Sequence, residues 1–259
     1  MFCVMVSSVQ RPAYGIVVGS KTRAIGSLGG PSIDREPLTG GRQMRIGILG
    51  SGLMGGKLGT LFARAGHEVV FSYSRSNEKL ERLARDAGRS ARAGTPAEAT
   101  RAADAIVFAV HWSRVDDVLR QAGDLSGKVV VTCSLPMNAD DTELVVAHTS
   151  SGAEELAKKL PAARVVSAFG TVPSEVLFAV YETRSDTPRP SMVYCGDDDA
   201  AREVAAGLIR DVGFEPVDLG PLRMARYSEP FTLLVARLAY ESEGGPALAY
   251  RFERLEERE

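Results

Sequence analysis

The stretch from Met44 to Gly59, MRIGILGSGLMGGKLG, constrains this chain more than any other. A short apolar run, Ile46 to Leu49, reads as a buried strand and breaks at Gly50-Ser51-Gly52-Leu53-Met54-Gly55. A helical pattern follows to Ala65. This is G-x-G-x-x-G with a strand before it and a helix after it, the context the motif needs to carry meaning. Gly50 permits the tight turn, Gly52 lets a pyrophosphate approach the backbone, and Gly55 lets the helix pack close to the strand. The free N–H groups and positive dipole end of the helix then hold phosphate. The stretch predicts a dinucleotide-binding unit of Rossmann type, the bland alternative being a glycine-rich structural turn.

Glu68 to Ser72, EVVFS, reads as the second strand. About 20 residues past the glycines, an NAD site carries an acid for the ribose 2′-hydroxyl. Here Ser72-Tyr73-Ser74-Arg75-Ser76-Asn77 occupies that place, and no carboxylate appears before Glu78. A carboxylate would repel a 2′-phosphate, whereas hydroxyls and a guanidinium bind it through charge-assisted hydrogen bonds. The expected cofactor is therefore NADP, held by Ser74 and Arg75 with help from Lys79. The plainer reading of Arg75 is a solvated loop arginine.

Hydrophobic residues make up 44% of the 259, charged residues 25%, and the net charge is -2. These values describe a globular chain with a substantial core. No basic stripe points to nucleic acid, and no apolar run approaches the roughly 18 residues of a membrane span. Cys3, Cys133 and Cys195 are scattered, as are His67, His111 and His148, so no zinc or disulfide framework is read and no metal is expected. The cysteine usage fits a reducing cytoplasm. Residues 1–43 are rich in Gly, Ser and Pro and lack a sustained period; they read as a disordered N-terminal extension.

From residue 44 onward strands and helices alternate. The predicted fold is α/β: a Rossmann-type doubly wound, mostly parallel sheet with a small C-terminal α/β extension. Residues 44–168 read as the NADP-binding domain and 169–259 as a smaller part for substrate or acceptor. Strands are expected at Ala105–Val110, Lys128–Thr132, Arg164–Ala168, Ser191–Cys195 and Glu215–Leu219. Helices are expected at Asn77–Asp86, Pro96–Arg101, Ser151–Leu160, 224–240 and 247–258, with another capped by Ser113. Asp197-Asp198-Asp199 reads as the acidic start of a helix rather than a metal site. The segment 180–190 reads as an irregular loop near the site.

These marks together resemble the F420H2:NADP oxidoreductase family, to which the reductase domain of the STEAP metalloreductases is related. The resemblance spans roughly 44–240 and rests on MRIGILGSGLMGGKLG, SRSNEK at 74–79, AVHW at 109–112, SAFGTVPS at 167–174 and CGDDD at 195–199. The run Leu219-Gly-Pro-Leu222 with Arg226 and Glu229 also matches. It implies Ser51, Gly52, Leu53 and Met54 at the pyrophosphate, and Ser74 and Arg75 at the 2′-phosphate. Val110, His111 and Trp112 would line the nicotinamide side, with Ala168 touching the ring. The crevice for the second ring would be walled by His111-Trp112, Cys133 to Met137 and Phe169 to Val172. Gly170 departs from relatives that carry His or Asn there.

The implied activity is hydride transfer between NADP(H) and coenzyme F420 or a flavin. The partner is a small molecule, with no nucleic acid or membrane involved, and the resemblance leaves room for a homodimer. Two cofactors carry the redox chemistry themselves, so the protein needs to supply only position and exclusion of water. A ketone or imine acceptor would need a proton donor, for which His111 is the candidate. Two other readings stand beside this one: an NADPH reductase of another small acceptor, and a non-catalytic NADP-binding sensor or partner module.

Overall fold

In the computed structural model, which describes residues 42–255, the apolar runs become strands and the stretches between them become helices. The strands are β1 Arg45–Leu49, β2 Glu68–Ser72, β3 Ala91–Ala93 and β4 Ala105–Phe108. They continue with β5 Val129–Thr132, β6 Arg164–Ser167, β7 Ser191–Gly196 and β8 Glu215–Asp218. The helices are α1 Leu53–Arg64, α2 Asn77–Ala87, α3 Pro96–Arg101 and α4 Val115–Ala122. After them come α5 Gly152–Lys159, α6 Leu177–Glu182, α7 Asp199–Asp211 and α8 Ala225–Tyr240.

The eight strands form one sheet in the order β3-β2-β1-β4-β5-β6-β7-β8. Strands β1 to β6 run parallel, β7 runs antiparallel to β6, and β8 is parallel to β7. This is the doubly wound Rossmann-type sheet with its small C-terminal α/β extension. The period of two along the strands sorts side chains onto two faces. Ile46, Ile48, Val107 and Val131 face α1, α2, α6 and α7. Leu49, Ile106, Phe108 and Val130 face α3, α4 and α5. Every residue of β4 and β5 is buried, which is why AIVF and VVVT carry no polar alternation. Phe62 and Phe71 are fully buried, each contributing about 1.5–3 kcal/mol of burial energy.

Local chemistry fixes the helix starts. Ser151 Oγ accepts the Glu154 N–H at 3.2 Å and caps α5. Asp198 Oδ1 accepts the Ala201 N–H at 2.7 Å and caps α7, so the acidic triplet is a helix start.

Four expectations need correction. Strand β4 stops at Phe108, not Val110, because the Val110 N–H donates to Ser134 Oγ at 3.1 Å instead of a neighbouring strand. The cap after it is His111, whose Nδ1 accepts the Ser113 N–H at 3.2 Å and starts a short 3-10 turn, Trp112–Arg114, ahead of α4. The helix expected at 247–258 is absent over its described part, 247–255. That tail instead runs beside β7: the Ser191 N–H donates to the Tyr250 carbonyl at 2.8 Å, and the Phe252 N–H donates to Ser191 Oγ at 3.0 Å. Tyr250 and Phe252, two residues apart, both pack on Phe231. The pattern there is extended, not helical. Within 180–190, residues up to Glu182 belong to α6, and none of the segment lines the cleft described below. The expectation of disorder for 1–43 falls, for residues 1–41, outside the described residues. No helix among the described residues is long and apolar enough to cross a membrane.

Candidate functional site

The carboxyl ends of β1, β4, β5 and β6 open on one edge of the sheet, and the strand order departs in opposite directions from β1. Open parallel sheets bind ligands at such a switch point. The glycine turn sits there. Gly50 has φ +103°, and a Cβ on it would lie 2.3 Å from the Ala109 carbonyl oxygen. A Cβ on Gly55 would lie 2.0 Å from the Gly50 oxygen, so α1 crosses the turn at backbone contact. Gly52 differs: a Cβ there would meet nothing within 4 Å. The start of α1 has no side-chain cap and no acid in its first turn. Its leading N–H groups and dipole end therefore face open space, the arrangement that accepts an anion.

A cleft of about 500 Å³ runs from this turn across the strand ends. Gly52, Leu53, Met54 and Lys79 line its α1 end. Ala109, Val110 and His111 follow from β4, and Cys133, Ser134, Leu135 and Met137 from β5. The loop after β6 adds Gly170, Val172, Pro173, Ser174 and Glu175. Helix α8 closes the far side with Thr232, Val235, Ala236 and Tyr240. A second hollow of similar volume lies at the amino ends of β1 and β2, between Arg45, Glu68, Arg89 and Arg92. It lies at the opposite ends of the strands from the glycine turn and shares no lining residue with the cleft.

Of the residues read from the sequence, Gly52, Leu53, Met54, Lys79, Val110 and His111 meet in the cleft wall. Gly50 and Gly55 shape the turn beneath it. Ser51 is buried, and its hydroxyl donates to the Ser72 carbonyl at 2.9 Å, so this side chain serves the turn. Ser74 and Arg75 lie on the loop after β2 and outside the cleft lining; Arg75 is exposed, and Ser74 Oγ is 3.5 Å from the Ser76 N–H. Trp112 is half-buried against the core on the α4 face, and Ala168 lies in the core on the α1 face, so neither lines the cleft.

His111 has both ring nitrogens engaged. A backbone N–H can only donate, so Nδ1, which takes the Ser113 N–H, is an acceptor. Ser113 Oγ also lies 2.8 Å from Nδ1. The proton then sits on Nε2, which donates to Asp141 Oδ1 at 3.0 Å. Asp141 stands in the left-handed region at φ +55°. At the far end, the Tyr240 hydroxyl donates to Glu175 Oε2 at 2.9 Å, and Lys57 of α1 donates to the Ser174 carbonyl at 3.0 Å. Burial first, then this bond to Glu175, pushes the Tyr240 phenol above its ordinary range. Among the described residues no group of three or more His, Cys, Asp or Glu is placed to hold a metal ion.

Sequence reasoning missed Asp141, Glu175 and the α8 wall. Thr232, Val235, Ala236 and Tyr240 do share one helix face, but that spacing is the same one a core-facing helix shows.

The chain is similar to known NADP oxidoreductases. The family model described as NADP oxidoreductase, coenzyme F420-dependent, matches residues 45–136. The metalloreductase STEAP3 of Rattus norvegicus is 30% identical over 189 residues, 73% of this chain and 36% of that protein. The chain thus spans about a third of the length of that curated relative. A candidate F420-dependent NADP-reductase of Arthrobacter sp. FB24 superposes with a TM-score of 0.72 at 23% identity, covering 82% of this chain and 100% of the other. A reductive aminase of Aspergillus terreus, solved with NADPH and ethyl-5-oxohexanoate, gives 0.54 at 18% identity, covering 75% and 60%. At these identities the two structures attest the fold. Residues 45–136, about a third of the chain, are thus similar to the coenzyme F420-dependent family of NADP oxidoreductases.

Proposed function

We propose that this protein binds NADP(H) and passes hydride between it and a deazaflavin, coenzyme F420, or a flavin-like acceptor. The observation that carries the reading is the continuity of the cleft. It joins an uncapped helix start, open at Gly52, to a chamber walled by Leu135, Met137, Val172, Pro173 and Val235. The first part fits a pyrophosphate and the second an apolar ring system.

Gly52, Leu53 and Met54 would hold the pyrophosphate through backbone N–H groups. Ser74, Arg75 and Lys79 would hold the 2′-phosphate. Val110 and His111 would border the nicotinamide, which when bound supplies the hydride. The apolar wall would exclude water from the transfer. Engagement of both His111 nitrogens leaves that ring to orient the loop after β4, which agrees with a reaction that needs no side-chain acid. Gly170 lends room for the acceptor: a Cβ there would sit 3.6 Å from the Cys133 oxygen, in ordinary contact.

The test is an anaerobic assay of NADPH and NADH oxidation against coenzyme F420, riboflavin and a ferric chelate. Transfer from NADPH to the deazaflavin or flavin, with little from NADH, is expected. Arg75→Ala should weaken NADPH by roughly 1.5–3 kcal/mol, the range of a hydrogen bond to a charged group, and leave NADH nearly unchanged. Gly170→Trp should stop turnover while NADPH still binds. Absence of turnover with every acceptor, despite tight NADPH binding, would shift the reading to a non-catalytic NADP sensor.

A further inference from the structure

Tyr73 is the first residue after β2, and its backbone is left-handed, with φ at +57°. A bulky L-residue stays in that region only where its surroundings hold it there. Two contacts do so. The Tyr73 carbonyl accepts the Ser51 N–H at 3.2 Å, tying the residue to the glycine turn. The phenol donates to Asp117 Oδ2 at 2.5 Å, tying it to the first turn of α4. Asp117 is itself fixed: Arg120 donates to its Oδ1 at 2.9 Å, and Gln121 to its Oδ2 at 3.2 Å. The half-buried ring packs against the core on the α3–α4 face. Burial, then the bond to Asp117, pushes the phenol up to about 12, so it stays a donor across neutral pH.

The two residues that follow are Ser74 and Arg75. A left-handed residue redirects the chain in a single step, so its conformation fixes where the next two side chains begin. We propose that Tyr73, anchored on Asp117, is a positioning residue for nucleotide discrimination: it orients the Ser74–Arg75 loop toward a 2′-phosphate. The proposal rests on the NADP reading above and adds a determinant outside the phosphate contacts themselves. The same anchor joins the loop after β2 to α4, which does not line the cleft, so discrimination depends on a bond away from the bound nucleotide.

The test is a double-mutant cycle on the full chain, with Tyr73→Phe, Asp117→Ala and the double variant. Dissociation constants for NADPH and NADH are read by ligand fluorescence, and thermal midpoints establish that each variant folds. Each single change should weaken NADPH by about five- to tenfold and alter NADH less than twofold, and the double should be no worse than either single, since both break one bond. Should Asp117→Ala disturb α4, Asp117→Asn takes its place in the cycle, and Tyr73→Gly, which allows the left-handed backbone without the anchor, should still lose discrimination. Equal losses for both nucleotides, additive losses in the double variant, or an unchanged ratio would overturn the proposal while leaving NADP preference intact. A wild type that binds NADPH and NADH alike would overturn the NADP reading together with it.

Discussion

The three glycines of the turn look alike in the sequence and differ sharply in what surrounds them. Gly50 and Gly55 each face a backbone oxygen at under 2.5 Å from the place a Cβ would take, and Gly52 faces open space. Substitution therefore separates folding from binding. Gly50→Ala has neither a tolerable φ nor room, and should lower the thermal midpoint by several degrees, at about 2–4 °C per kcal/mol for a chain of this size. Gly52→Ala should leave the midpoint without ligand unchanged and weaken NADPH by about tenfold or more, because its methyl occupies the approach to the α1 N–H groups. Calorimetry and a fluorescence titration check the two outcomes. The glycines were legible because a fixed spacing carries their mechanics. Asp141 was not: it follows β5 in a stretch with no period, and only the tertiary fold brings it to His111, 30 residues earlier in the chain. Ser51 was legible as part of the motif, but the inward turn of its hydroxyl was not.

Helix α8 does two jobs from opposite ends. Its later turns wall the cleft, and its first turns carry Glu229, which is buried and accepts the Gly152 and Ala153 N–H groups at 2.8 and 2.9 Å. A carboxylate from one helix thus stands at the amino end of another, α5, where the dipole favours negative charge. Burial outweighs those bonds and pushes the Glu229 carboxyl up to about 7. The folded protein then holds this proton more tightly than the unfolded chain does. The contribution to stability is complete below the ordinary carboxylate pKa and is lost as pH rises from there through about 7. Melting curves between about pH 5 and pH 8 should show the wild type losing stability relative to Glu229→Gln, with the difference levelling off above that window. A difference that stays constant with pH would place the Glu229 titration elsewhere. The sequence pattern foretold α8 itself closely, because 224–240 carries a helical period. It misled at 247–258, where Ala247-Leu248-Ala249 has helical composition but Tyr250 and Phe252 are claimed by Phe231 and β7. Strand β3 has only three residues, and α6 starts with neither a capping side chain nor the proline that marks α3 at the same length.

At the scale of the whole molecule, one sheet runs from β1 through the C-terminal extension, and a buried polar link fastens the two ends on the α1 face. His67, between α1 and β2, accepts the Met44 N–H on Nδ1 at 3.2 Å and lies 3.0 Å from Asp211 of α7 through Nε2. Both side chains are at most 9% exposed. His67→Ala would orphan a buried carboxylate and a backbone N–H, at about 1–3 kcal/mol for each. A loss of that size in urea, with fluorescence and circular dichroism transitions still coincident, is the expected result; separate transitions would mean that the halves unfold independently. The fold was largely readable because alternating strands and helices permit few topologies. The link was not, since a lone histidine announces no partner.

The tail beside β7 has a practical consequence. The Tyr250 hydroxyl lies 2.7 Å from Thr171 Oγ1, next to Gly170, and accepts the Val193 N–H at 3.2 Å. The stretch around Tyr250 is therefore a doorstop behind the loop after β6. Anyone trimming it for crystallisation, or fusing a reporter close to Phe252, would be disturbing the support of Gly170 and Val172 from behind the cleft wall.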